Sequence, residues 1–390
     1  MNSDMQAITQ HLNLRKSATA LRFYSAKKAH NMKKVSLFLL SILVFTSCLK
    51  QDELKKPFVS YTPLQMNDGW EISTPAQENI EPDALAEIYR DFHADADIWQ
   101  VRSLLVFRNG KLVAESFTKD DNDITTPRAI WSCTKQVVGL LTGIALDKQI
   151  IHSVNDSIST YLTETSLYPD KKNIRIEDLL TMRSGISYSN DGLSGQTDDL
   201  LRQLPDKSTD FILGRQLQNN PGENADYKDC DPQLVSAILQ AKCGKPTAEW
   251  AQEVLFDKLE IKNLRWNTYK DGITLGGFGI LTTPRELAKF GQCVLDSGEW
   301  KRETIVSKEW IKQMTTVQIP DMYGYQFCYL WWRDNSRGMT FMWGHGGQYV
   351  CIIPSKNLIV VMTAEVNTQD DFQFHKGAFN WVDRIIQIAD

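Results

Sequence analysis

The chain has 390 residues, of which 42% are hydrophobic and 23% charged, with a formal net charge of −5. That composition suits one large two-lobed domain or two domains, each with its own core, and it excludes a predominantly disordered chain. No basic stripe stands out beyond the extreme N-terminus, so nucleic acid is not an expected partner.

Near the N-terminus, Lys33 and Lys34 precede an apolar run from Val35 to Phe45, followed by Thr46-Ser47-Cys48. A charged start, an apolar stretch too short to span a bilayer and small residues before a cysteine have the form of an export signal. They resemble a bacterial lipoprotein signal with a loose lipobox. The resemblance implies cleavage before Cys48, a lipid on Cys48, and a mature protein held on a membrane and facing the periplasm or exterior. A plain secretory signal or a lone anchor helix are the alternatives. Residues 1–48 are therefore expected to be an upstream extension and signal, and the polar stretch 49–80 a tether or an arm lying over the domain that follows.

Pro82 to Asp95 carries the marks of a helix, with proline in the first turn. Ser103 to Glu115 is two apolar, β-prone runs around Asn109-Gly110, a strong hairpin signal. Ile130-Trp131-Ser132-Cys133-Thr134-Lys135 opens a segment whose Val137, Val138, Leu141, Ile144 and Ala145 recur at helical spacing. Helices are also expected over Asn173–Ile186, ending in a Ser-Gly turn, over Asp231–Lys242 and Thr247–Lys258, and from Thr283-Pro284-Arg285-Glu286 to Leu295. The polar stretch running to Asp199 would form the rim of a cleft. Strands return at Tyr325–Arg333, Met339–Trp343, Tyr349–Ile353 and Leu358–Ala364. A closing helix, Phe374–Ile388, should bury Phe379, Val382, Ile385 and Ile386. Strands at both ends of a helical middle predict an α+β fold, an antiparallel β-sheet flanked by helices, with a helical lobe over about 134–272 inserted into a domain spanning 81–390.

The seven cysteines include six beyond Cys48. These could form three disulfides, but they sit mostly in apolar runs and read as small buried hydrophobes. The six histidines show no His-x-x-x-His spacing and the cysteines no Cys-x-x-Cys, so neither a metal nor another cofactor is expected.

Four Ser-x-x-Lys pairs occur: Ser25/Lys28, Ser47/Lys50, Ser116/Lys119 and Ser132/Lys135. Only the last opens a long apolar helix. Residues three apart share a helix face, so the Lys135 amine can meet the Ser132 hydroxyl and help remove its proton. Downstream lie Tyr227-Lys228-Asp229, in a turn before a helix, and Gly344-His345-Gly346-Gly347-Gln348 at the edge of an apolar strand. Glycines there let a substrate backbone approach closely.

This order of motifs resembles the serine β-lactamase and penicillin-binding protein family, and within it the class C-related branch that also holds esterases, D-amino-acid peptidases and 6-aminohexanoate-dimer hydrolases. The likeness spans roughly residues 81 to 388 and includes Ile176–Thr181 with Ser184-Gly185, and Gly276–Leu295. It implies Ser132 as the acylated nucleophile, Lys135 and Tyr227 as the proton-handling pair, and His345 in the place of the third-motif lysine. The backbone N–H groups of Ser132 and Gln348 would form the oxyanion hole, where losing one donor costs on the order of 10²–10³ in rate in other enzymes. Asp229, Gly346 and Gly347 would line the substrate site.

Two departures bear on the chemistry. Asp229 stands where asparagine is usual, and a carboxylate beside Lys135 would keep that amine protonated, shifting base work to Tyr227. His345 replaces a lysine that draws in a substrate carboxylate, which histidine does less well near neutral pH. The expected activity is therefore ester or amide hydrolysis on a small-molecule or peptide substrate. A β-lactamase or D,D-peptidase, and a non-catalytic cell-wall ligand receptor, are the alternatives.

Overall fold

Residues 55–189, 207–366 and 371–390 are described by a computed structural model. The export signal, Cys48 and the stretch 190–199 of the expected cleft rim lie outside the described residues.

The chain enters the sheet through β1 (Glu71–Ile72) and then forms α1 (Pro82–Ala94). The hairpin β2 (Val101–Arg108) and β3 (Lys111–Phe117) turns on Asn109 and Gly110, whose φ values of 52° and 76° are the left-handed pair that an Asn-Gly turn favours. After β4 (Arg128–Ala129) the chain turns helical. The helices are α2 (Cys133–Asp147), α3 (Ile176–Leu180), α4 (Ser208–Leu213), α5 (Cys230–Cys243) and α6 (Thr247–Ala251). Then come β5 (Leu264–Trp266), β6 (Ile280–Thr282), α7 (Pro284–Leu295), the ribbon β7 (Glu299–Trp300) and β8 (Glu303–Thr304), and α8 (Lys308–Met314). The strands β9 (Ile319–Met322), β10 (Tyr325–Phe327), β11 (Trp332–Asp334), β12 (Met339–Gly344), β13 (Gln348–Ile353) and β14 (Leu358–Ala364) precede the closing helix α9 (Asp371–Ile388).

The main sheet has nine strands in the order β1-β3-β2-β14-β13-β12-β11-β10-β9. Every pairing in it is antiparallel except β1 with β3. β14 pairs with β2, so the two ends of the chain close one sheet and the helical lobe is carried between them. β2, β13 and β14 are buried along their whole length, because helices and loops cover both faces at the sheet's centre. In α2, every residue from Cys133 to Ala145 is buried, so this helix is the axis around which the lobe and the sheet pack. All six cysteines among the described residues are free thiols, five of them buried and Cys243 half-buried.

Five expectations need correction. The compact unit begins at Lys56 rather than at 81, because of the two expectations for 49–80, a tether or an arm over the domain, the residues from Lys56 on form the arm. Trp70 is buried in the core, its indole N–H donating to Arg285 O at 3.0 Å, and Asp68 pairs with Arg285 at 2.8 Å. The helix expected over 173–186 is confined to Ile176–Leu180: the Arg175 N–H donates to Asp178 Oδ2 at its start, and Met182 turns left-handed (φ 59°) after its end. The helix expected over 247–258 loosens into a π turn over Gln252–Phe256. The strand expected over Tyr325–Arg333 breaks at Leu330 (φ 60°), whose N–H donates to Leu180 O at 2.9 Å while the Tyr329 hydroxyl donates to Glu177 at 2.8 Å. The fourth core position expected on α9, Ile386, is only half-buried.

Candidate active site

Ser132 occupies the N-cap position of α2, where a serine oxygen ordinarily accepts from a backbone N–H of the first turn. Here it makes no such cap. The hydroxyl instead meets Lys135, one turn on, whose Nζ donates to Ser132 Oγ at 2.9 Å. The turn is set by Trp131, a bulky residue in the left-handed region (φ 49°), and closed by backbone bonds from Cys133 to Ile130 O and from Thr134 to Trp131 O. Ser132 is half-buried and open to a ligand, whereas Lys135 is wholly buried.

The loop before α5 supplies the other two polar groups. It is tied down by the Asp226 N–H donating to Met182 O at 2.9 Å. Lys135 forms a short ion pair with Asp229 and donates to Gly277 O at 2.7 Å. The Tyr227 ring lies with its centroid 5.0 Å from Lys135 Nζ, and its phenol interacts with both Ser132 and Lys135. A side chain at Gly277 would place its Cβ 2.8 Å from Asp229 Cβ, so a glycine is needed for the strand of backbone that carries this carbonyl to lie beside Asp229. Three oxygens, from Ser132, Asp229 and Gly277, therefore take the three N–H bonds that one ammonium has to give. Burial alone would depress the Lys135 pKa, but Asp229 and Tyr227 more than offset it and hold the amine above its ordinary value. Burial raises the Tyr227 phenol, a shift that Lys135 and the bond with Ser132 oppose.

The third motif is the turn between β12 and β13. Gly344 lies against the backbone just before Ser132: a Cβ there would fall 2.2 Å from Ile130 O. Gly346 and Gly347 follow with φ of 77° and 102°, and the Gly347 N–H donates to Gly344 O at 3.3 Å. Gln348, buried at the start of β13, bonds through its side-chain amide to Ala364 in both directions, at 2.8 and 3.2 Å. The Cys133 thiol donates to Gln348 O at 3.5 Å, which draws the start of α2 and the start of β13 together. His345 is exposed, its ring edge-on to Trp131 with centroids 5.5 Å apart.

The structure thus brings Ser132, Tyr227 and Asp229 together around the Lys135 ammonium. It places the exposed His345 against Trp131, the residue before Ser132. Sequence reasoning missed Gly277 as a partner of Lys135 and Trp131 as the support of His345. The only signal for Gly277 was the glycine-rich run Gly276–Gly279, which indicated close backbone approach without saying to what. A tryptophan beside a serine gives no sign of a left-handed turn.

Comparison with known proteins agrees with this geometry. Residues 101–378 match the beta-lactamase family. The chain is 22% identical over 334 residues to 6-aminohexanoate-dimer hydrolase of Paenarthrobacter ureafaciens, covering 78% of this chain and 82% of that protein. Its fold is similar to a β-lactamase/D-alanine carboxypeptidase of Pseudomonas syringae (TM-score 0.60, 16% identity, 79% of this chain and 99% of that one). It is also similar to EstCE1, a hydrolase with promiscuous acyltransferase activity (TM-score 0.62, 13% identity, 79% and 98% covered). With the family matched over most of its length and the serine–lysine–tyrosine group assembled at its centre, the chain belongs to the beta-lactamase family of serine hydrolases.

Proposed function

We propose that the protein is an exported serine hydrolase, lipid-anchored through Cys48, that cleaves an ester or amide bond through an acyl-enzyme on Ser132. The observation that carries this reading is the uncapped Ser132 hydroxyl held between Lys135, at 2.9 Å, and Tyr227. Ser132 Oγ attacks the substrate carbonyl carbon and its proton passes into the Lys135–Tyr227 pair. That proton is delivered to the departing alkoxide or amine as the carbon–heteroatom bond breaks. Water then repeats the sequence on the acyl group and restores the hydroxyl.

Because Asp229 holds Lys135 protonated, Tyr227 is the group that accepts the serine proton, once the coupled pair has lost one of its own. Negative charge on the tetrahedral oxygen is favoured at the N-terminus of α2 and by the backbone N–H groups of Ser132 and Gln348. Ester or amide substrates are favoured over β-lactams because His345 stands where a lysine would pull in a carboxylate. A 6-aminohexanoate-dimer hydrolase and a hydrolase with acyltransferase activity among the relatives support the same preference. Export and the lipid on Cys48 rest on the signal-like run Lys33–Cys48.

Intact-mass spectrometry of protein taken from the membrane fraction tests both halves. The expected spectrum carries a diacylglyceryl mass on Cys48, and p-nitrophenyl esters add an acyl mass that Ser132→Ala abolishes. Faster turnover of nitrocefin than of every ester would replace this reading with a β-lactamase. No adduct from esters, amides, penicillins or a fluorophosphonate would leave a ligand receptor instead.

A further inference from the structure

The loop that joins β9 to β10 contains two residues, Tyr323 and Gly324, enclosed by the Met322–Tyr325 pair. Their φ values are 55° and 85°, the left-handed pair of a type I′ turn, for which Asn-Gly is the favoured sequence. Tyrosine in the first position is disfavoured, because its Cβ crowds the following carbonyl in this region. Burial does not account for it: Tyr323 is 60% exposed, one of the few large apolar side chains of the described residues left so open.

What the position does provide is direction. The Tyr323 ring lies edge-on to Tyr227, with centroids 6.1 Å apart, and stacks over Trp332 at 6.3 Å. Tyr227 in turn leans on Trp332 at 5.5 Å. Tyr323 therefore extends into solvent an aromatic wall that begins at Tyr227, beside Lys135. Trp131, the residue before Ser132, makes a separate ring contact with His345. Disfavoured backbone next to a reactive group persists where function retains it.

We propose that Tyr323 is a specificity-determining residue whose open ring face receives a flat aromatic group in the part of the substrate on the Tyr227 side of the scissile bond. The proposal rests on the serine-hydrolase reading above and adds to it the class of group that the site prefers. A face or edge contact of this kind corresponds to about three- to tenfold in kcat/KM.

The test uses Tyr323→Asn and Tyr323→Phe in the full-length enzyme, with matched esters carrying either a phenyl or a methyl group, first in the acyl half and then in the alcohol half. Asparagine suits the turn, so Tyr323→Asn is expected to raise Tm by about 1–3 °C. In one half of the substrate it should lower the phenyl-to-methyl ratio of kcat/KM by about three- to tenfold. Tyr323→Phe should keep the parental ratio and Tm. A gain in stability with a loss of discrimination is a combination that a merely structural tyrosine does not produce. A normal Ser132 adduct with an unchanged ratio in both halves, or a fall in Tm with uniform loss on all esters, overturns the platform and leaves the hydrolase reading intact. Absence of any Ser132 adduct in the parent enzyme overturns both.

Discussion

Arg285 and Lys135 are each almost wholly withdrawn from water, at 2% and 0% exposure, and each is met by a carboxylate, yet their surroundings differ in kind. The Arg285 guanidinium donates to Glu115 Oε2 at 2.8 Å and Oε1 at 2.5 Å, to Asp68 at 2.8 Å and to Leu64 O at 2.7 Å. Its partners are fixed acceptors with no proton to exchange, and its planar fork locks the N-terminal arm onto α7. Around Lys135 stand Ser132 and Tyr227, whose hydroxyls can gain or lose a proton. A buried cation with saturated, proton-free partners is a fastener. One whose neighbours are hydroxyls opening on a cleft can relay protons.

The comparison can be broken in three places. Lys135→Ala should reduce kcat/KM by on the order of 10³–10⁴, because it removes the group that orients and charges the Ser132 site; steady-state kinetics on the best ester giving less than a tenfold loss would take Lys135 out of the chemistry. Arg285→Met should cost about 3–5 kcal/mol of stability in urea titrations, since Glu115 and Asp68 lose their shared cation. Its kcat per folded molecule should stay at the parental value, and a fall in kcat at full folding would mean that the fastener reaches the site after all. The smallest effect concerns pH. Asp229 raises the Lys135 pKa, so the Lys135–Tyr227 pair must lose a proton on the alkaline side before Ser132 is activated. Asp229→Asn removes the raising charge, and the rising limb of the kcat/KM profile should move toward neutral pH. An unmoved limb would count against Tyr227 as the acceptor.

Much of this was legible in the chain because short-range rules govern it. The Asn109-Gly110 turn, the Leu358–Ala364 strand and the Pro284–Leu295 helix each depend on residues a few positions apart. So does the approach of Lys135 to Ser132, which needs only one helical turn. The remaining features depend on contacts across the fold. Leu330 interrupts an apolar run that reads as continuous strand, and its reason, a bond to Leu180 O, lies 150 residues away in sequence. The arm from Lys56 looks polar because its attachment depends on a buried indole, Trp70, a carboxylate, Asp68, and scattered backbone hydrogen bonds rather than on a periodic apolar face. Gly277 contributes a carbonyl, a group every residue carries, so no residue type could announce it.

The arm has one more consequence. It runs along the outer side of β3, where Glu115 N–H donates to Tyr61 O at 2.8 Å, Lys56 N–H to Thr118 O at 2.6 Å and Ser73 N–H to Leu112 O at 3.1 Å. Without it, β3 would present Leu112, Val113 and Ala114 on a bare strand margin, a template for pairing with another copy. The opposite margin, β9, needs no such cover, since Pro320 and Asp321 already spoil it for self-association. The segment that leads out toward Cys48 therefore also guards the sheet against aggregation.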